Sequence, residues 1–169
     1  MHDYLVPPRD VRGRDLATVD WKTEHDVATT LRDMGHHVRA LGVHDDLGVI
    51  RQAADEFKPH IAFNLMEAFH EVGTFDMNVV SYLELLRLPY TGCNPRGMLL
   101  SRDKALSKKL LAYHGIPTPD FAVITRGRGI RLAHRIRFPV IVKSTTEQAS
   151  SGIAQASVID DETRLRERV

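Results

Sequence analysis

The chain has 169 residues, of which 43% are hydrophobic and 27% charged, and its formal net charge is +1. This length allows one sizeable core or two small domains, and the composition is typical of a globular protein rather than a disordered one. The near-zero net charge gives no reason to expect nucleic acid or an acidic membrane as a partner, and no apolar run approaches the length of a membrane span. One cysteine, Cys93, excludes an internal disulfide framework and favours a reducing, cytoplasmic location.

In the first half of the chain, predicted helices alternate with predicted strands. Apolar spacing predicts a helix over residues 23–34 and another over 47–57, and short apolar runs predict strands at 38–43 and 61–65. The run at 61–65 is nearly continuous, as in a strand buried on both faces. This alternation predicts an α/β fold with a parallel sheet covered by helices. The loop after residue 65 lies where such sheets bind ligands.

The second half begins with helices and then changes character. Residues 79–86 are predicted to be helical, and Asp103 is predicted to cap a helix over residues 104–114, with Leu106, Leu110 and Tyr113 facing inward. Beyond Thr118, short apolar runs predict strands at 121–124, 140–143 and 153–158, followed by a helix from Asp161. We therefore predict two domains, residues 1–117 and residues 118–169.

Two lysines and a loop of small residues are the clearest candidates for chemistry. Lys104 follows the Asp103 cap at a helix start, and Lys143 ends an apolar strand, where a partly buried ammonium would need an anion. Lysine suits phosphate as a compact charge, and the small residues at 149–152 allow backbone N–H groups to approach phosphate oxygens. The alternatives are a solvated Lys104, a carboxylate partner for Lys143 and an ordinary turn at 149–152.

The order of these features resembles one enzyme family. The helix that begins at residues 103–104 (Asp-Lys) is followed by Gly-Ile-Pro-Thr-Pro at 115–119, by Phe-Pro-Val-Ile-Val-Lys at 138–143 and by the small-residue loop at 149–152. This series resembles the ATP-grasp ligases, and it is most similar to the D-alanine–D-alanine ligase group. Leu-Pro-Tyr-Thr-Gly-Cys at 88–93 also resembles that group.

The resemblance implies both a fold and an activity. The implied fold is a doubly wound, parallel-sheet pre-ATP-grasp domain, whose first strand is missing or shortened here, followed by the first, incomplete subdomain of an ATP-grasp domain. The implied function is an ATP-dependent carboxylate–amine ligase that works through an acyl phosphate, present as an N-terminal part. ATP and Mg²⁺ are the implied cofactors, with the metal ligands expected beyond this chain. Aggregation or a homodimer is a separate expectation, because a truncated fold would leave apolar surface exposed. The alternative is a non-catalytic nucleotide- or partner-binding module on the same fold.

The resemblance also implies roles for individual residues in nucleotide binding. Lys104 and Lys143 would hold the nucleotide. Ser150, Ser151 and Gly152 would close over the transferring phosphate, although the close relatives carry more glycines in this loop.

A second group of implied residues belongs to the substrate side. Glu24 matches the acidic residue that holds the ammonium of the first amino acid, and Asp76 matches an acidic position in the substrate loop. An exposed first-turn Glu24 that interacts with the helix dipole is the alternative. Glu67-Ala68 stands where those ligases carry His-Gly, and Phe75 stands where they carry Glu. These differences weaken D-alanine as the substrate and leave the identity of the joined carboxylate and amine open.

The nine histidines show no metal-ligand spacing, so the sequence predicts solvated or loop histidines and no metal site. The basic stretch between residues 126 and 137 lacks interleaved aromatic residues, so we interpret it as a solvated surface and not as a nucleic-acid site.

Overall fold

The computed structural model describes residues 1–125, 127–130, 132, 136–146 and 154–169. These residues form two compact units, Met1–Arg96 and Gly97–Val169, and each is described here by itself. The division into domains near Thr118 stays a prediction.

Three helices form most of the regular structure of the first unit. They are α1 (Lys22–Asp33), α2 (Gly48–Phe57) and α3 (Asp76–Leu85). All three helices were predicted from the sequence, and their presence is confirmed. A fourth helix, α4 (Pro95–Arg102), belongs mostly to the second unit; it starts with proline, whose fixed φ and missing N–H suit the first helical turn.

The core of the first unit is built by apolar residues of α2, α3 and the chain segments between them. Val79 and Leu83 are one turn apart on α3 and are both buried, so this face of the helix points into the core. The buried cluster consists of Val43, Ile50, Met66, Val79 and Leu83.

The predicted strands of the first unit are largely absent as strands. Residues 38–43 form no strand, and the run at 61–65 contributes only an isolated parallel bridge between Ala62 and Tyr90. Ala62 donates to Pro89 O at 2.8 Å, and Thr91 donates to Ala62 O at 3.0 Å. The predicted strand extents are therefore wrong. The physical reason is that both segments border an open cavity instead of a third strand, and a single pairing is too little to stabilise a ladder.

The second unit combines helices with one small sheet. It contains α5 (Lys104–Tyr113), β1 (Val140–Ile141), β2 (Val158–Ile159) and α6 (Glu162–Arg168). The two strands pair antiparallel, with Val140 opposite Ile159 and Ile141 opposite Val158. The predicted strand at 121–124 is wrong, since those residues take no strand structure.

The described core of the second unit is small. Ile159 of β2, Leu165 of α6 and the side chain of Ser157 are buried. The three residues of α5 that were predicted to face inward do not: Leu106 and Leu110 are each 40% exposed, and Tyr113 is 84% exposed. Helical spacing identified their shared face correctly, but no described element covers that face.

The α/β class is thus confirmed. A doubly wound parallel sheet stays a prediction, because the part of the chain that the structure describes shows parallel pairing only at the bridge between Ala62 and Tyr90. None of the helices described here combines the length and the apolar character needed to cross a bilayer.

Candidate nucleotide and substrate sites

The start of α5 is fixed by a side-chain cap. Asp103 has extended backbone geometry, and its Oδ1 accepts hydrogen bonds from Ala105 N and Leu106 N, both at 2.9 Å. These bonds satisfy two of the N–H groups that a helix leaves unpaired at its start. The cap thereby makes Lys104 the first residue of the helix, as the sequence predicted.

A backbone hydrogen bond connects the start of α5 with the segment that follows β1. Lys104 N donates to Thr145 O at 3.0 Å, and Thr145 lies two residues after Lys143. The structure therefore brings the main chain at Lys104 next to the segment that carries Lys143. Lys104 and Thr145 are far apart in the sequence, so this proximity could not be predicted from the local sequence pattern.

Lys143 differs from its prediction in one respect. The sequence predicts a partly buried ammonium at the end of a strand, but Lys143 is exposed. The reason is that β1 ends at Ile141, which is itself 51% exposed, so Lys143 follows the strand instead of lying in it. The burial argument for an anionic partner is therefore wrong, and only the position of Lys143 near Lys104 still favours phosphate. Ser150, Ser151 and Gly152 lie outside the described residues.

Lys108 has its own partners within the second unit. Its Nζ donates to Pro119 O at 2.9 Å and lies 5.0 Å from the centre of the Phe121 ring. Lys108 is therefore bound within this unit and is a poor control for the candidate lysines. Lys109, the next residue, is exposed and is the better control for the candidate lysines.

The first unit buries both candidate substrate carboxylates. Glu24 on α1 is only 6% exposed, so the alternative of a solvated first-turn residue is wrong. Glu24 interacts electrostatically with the amino group of Met1: burial lowers the pKa of this amino group, and the negative charge of Glu24 raises it in part. Asp76 is 5% exposed at the start of α3, and its Oδ1 accepts from Met77 N at 2.7 Å. No hydrogen bond or ion pair among the described residues joins Glu24 to Asp76.

Glu24 lines a cavity of about 810 Å³ in the first unit. Its wall is mainly apolar and includes Ala28 of α1, Ile50 of α2 and the extended segment at 61–65. A buried carboxylate in an apolar wall is costly unless a cation or a hydrogen-bond donor reaches it. The amino group of Met1, which also lines this cavity, is a cation that interacts with Glu24.

Tyr90 has the clearest perturbed pKa in the first unit. Tyr90 Oη donates to Glu84 Oε1 at 2.7 Å. Ionisation of Tyr90 would break this hydrogen bond and would place a second negative charge beside the Glu84 carboxylate. The pKa of Tyr90 is therefore raised to about 12.

One cluster was missed by the sequence interpretation. His2, Asp3 and His44 bring potential metal-ligand atoms within 4.8 Å of one another. The histidines are 42 residues apart, so no local spacing could have identified them. Among the described residues this is the one group of three metal-ligating side chains, and it contains two imidazoles, whereas Mg²⁺ prefers oxygen ligands. The described residues thus do not fit the Mg²⁺ that the resemblance implies.

Comparison with known proteins gives several relatives. The chain is 34% identical over 148 residues to a D-alanine–D-alanine ligase of Syntrophotalea carbinolica and 30% identical over 151 residues to one of Synechococcus. It is 33% identical over 135 residues to the uncharacterized protein y4sG of Sinorhizobium fredii. These alignments cover 87%, 85% and 75% of this chain.

The chain spans less than half the length of these relatives. The aligned parts cover 45% of the Syntrophotalea carbinolica protein, 43% of the Synechococcus protein and 38% of y4sG. No family model and no solved structure matches the chain.

Proposed function

Since the chain is a homologue of the D-alanine–D-alanine ligases, we propose that it is the nucleotide- and substrate-contacting part of an ATP-dependent carboxylate–amine ligase. In this proposal the fold is ATP-grasp-related, with a doubly wound first domain, and the protein is cytoplasmic. The reaction forms an amide: a carboxylate takes the γ-phosphoryl group of ATP to give an acyl phosphate, and an amine then displaces phosphate.

The observation that supports nucleotide binding is the hydrogen bond from Lys104 N to Thr145 O. It joins the capped start of α5 to the segment after β1, so two lysines come from neighbouring stretches of one unit. Two ammonium groups that converge on one polyphosphate would each contribute a charge-assisted hydrogen bond. We assign Lys104 and Lys143 to the phosphates, and Ser150, Ser151 and Gly152 to the loop over the transferring group.

The buried carboxylates support a substrate that carries an ammonium group. We assign Glu24 to this ammonium because it is buried in an apolar wall, and Asp76 to the same substrate side. Catalysis of phosphoryl transfer depends mostly on positioning and on electrostatic stabilisation, and these residues supply positioning. Bound Mg²⁺ would supply charge neutralisation of the phosphates, and we assign it no ligand in this chain.

Calorimetric titration of the tag-free chain with ATP and with AMP tests the nucleotide assignment. Because the two lysines act on phosphates beyond the first, ATP should bind at least about tenfold more tightly than AMP. Equal affinity for both nucleotides, or no binding of ATP, would contradict the proposal.

A further inference from the structure

The cluster of His2, Asp3 and His44 in the first unit has the geometry of a metal site. His2 Nε2 lies 3.2 Å from His44 Nδ1, and His44 Nδ1 lies 3.7 Å from Asp3 Oδ1. Ligand atoms held at about 2.0–2.1 Å around a tetrahedral ion are roughly 3.3 Å from each other. The two separations lie on either side of this value, and all three ligand atoms lie within 4.8 Å of one another, so one ion could contact all three side chains once they close around it.

Burial of His2 is a second, independent observation. Only 9% of its side chain is exposed, and within the described residues its Nδ1 is buried and has no hydrogen-bond partner. Asp3 Oδ1 lies 2.7 Å from this nitrogen, but it does not lie in a direction that forms a hydrogen bond. A buried ring nitrogen without such a bond is costly. A cation bound at Nδ1 would remove this cost directly, and one bound at Nε2 would fix the ring N–H on Nδ1, where it faces the Asp3 carboxylate.

The backbone holds the three side chains together. Val43 N donates to Met1 O at 3.0 Å, which ties the start of the chain to the residue before His44. A Cβ at Gly42 would lie 2.7 Å from Asp3 Cα, so only glycine permits this close approach. On the other side, His70 N donates to His44 O at 2.7 Å. The cluster is thus a consequence of the fold and not of mobile surface side chains.

We propose that His2, Asp3 and His44 bind one divalent transition-metal ion of the Zn²⁺ class. Two imidazoles and one carboxylate are ligands that Zn²⁺ accepts, and three protein ligands leave a coordination position for water. Asp3 is exposed on one side of the cluster, so the ion can enter from solvent. The bound ion would fix the chain start against the segment at 42–44. This proposal is independent of the proposed ligase function.

Titration of the tag-free, metal-depleted chain with ZnCl₂ tests the proposal. We expect one Zn²⁺ per chain, and we expect Asp3→Asn and His44→Gln each to weaken binding at least tenfold, because each removes one ligand. The matched control is His36→Gln with His37→Gln, since both of these histidines are exposed and lie outside the cluster. The control should bind Zn²⁺ as the unchanged chain does.

Circular dichroism of each variant distinguishes loss of binding from loss of folding. Because Asp3 is exposed, Asp3→Asn is the substitution least able to disturb the fold. Absence of Zn²⁺ binding by the unchanged chain would overturn the proposal. Unchanged affinity in folded Asp3→Asn would also overturn it, and so would an equal loss in the His36 and His37 control.

Discussion

At the scale of single residues, the bond between Tyr90 and Glu84 makes a prediction about pH. The folded-state pKa of Tyr90 is about 12, above its ordinary value of 10.0. The stabilisation from this bond is therefore complete below about pH 10 and is lost as the pH rises through 12. Glu84→Gln should lower the pKa of Tyr90 towards its ordinary value, because the neighbouring charge is gone.

Ultraviolet absorbance of tyrosinate, followed against pH, measures this shift. One of the four tyrosines of the chain should titrate near pH 12 in the unchanged protein and about two units lower in Glu84→Gln. Tyr90→Phe is the control, since it should remove that late transition altogether. Identical titration curves for the unchanged protein and Glu84→Gln would contradict the assignment.

Residue-scale predictions from the sequence succeeded where the evidence was local. The cap at Asp103 follows from one residue type before a helix, and the structure confirms it. The exposure of Lys143 and the partners of Lys108 depend on where β1 ends and on how the chain returns at residues 119–121. Local patterns carry no information on either, so the predicted burial of Lys143 was wrong and the partners of Lys108 could not be predicted.

At the scale of elements, the Asp103 cap should decide the stability of the start of α5. Asp103→Ala removes the acceptor for Ala105 N and Leu106 N and should lower the free energy of unfolding by about 1 kcal/mol. Asp103→Asn keeps an acceptor at the same position and should cost much less. Urea unfolding, followed by circular dichroism, measures the free energy of unfolding of each variant. An equal decrease in Asp103→Ala and Asp103→Asn would exclude the cap as the cause.

The helices were predictable and the strands of the first unit were not, for a physical reason. Helical hydrogen bonds form within one segment, so apolar spacing is enough to identify α1, α2 and α3. A strand needs a partner from elsewhere in the chain, and the segments at 38–43 and 61–65 border a cavity instead. The apolar patterns identified extended segments, but the pairing that defines a strand depends on distant residues.

At the scale of the whole molecule, the exposed face of α5 predicts self-association. Leu106 and Leu110 lie one helical turn apart and are each 40% exposed, next to other exposed apolar side chains. Contiguous apolar patches of this kind associate in water. Light scattering should show dimers or larger species, and Leu106→Glu with Leu110→Glu should shift the chain towards monomer.

The control variant for the substitutions of Leu106 and Leu110 is Leu85→Glu. Leu85 is 79% exposed but lies on α3 of the other unit, so its substitution should leave the association unchanged. A monodisperse monomer at high concentration in the unchanged chain would contradict the prediction.

The chain by itself is expected to have no measurable ligase turnover. Efficient phosphoryl transfer needs a metal ion that bridges the phosphates, we assign Mg²⁺ no ligand in this chain, and the chain spans less than half the length of the ligases that it is similar to. Phosphate release from ATP, in the presence of Mg²⁺ and candidate amino acids, should stay at the background rate. Release that is lost in Lys143→Ala would contradict this expectation.

The central claim is that Lys104 and Lys143 hold the nucleotide, and titration calorimetry with ATP on three single variants tests it most directly. Loss of one charge-assisted hydrogen bond costs about 1.5–3 kcal/mol, or roughly ten- to over a hundredfold in affinity. Lys104→Ala and Lys143→Ala should each weaken ATP binding at least tenfold, whereas Lys109→Ala, on exposed Lys109 of the same helix, should change it little. Equal affinities for ATP across all three variants would contradict the account.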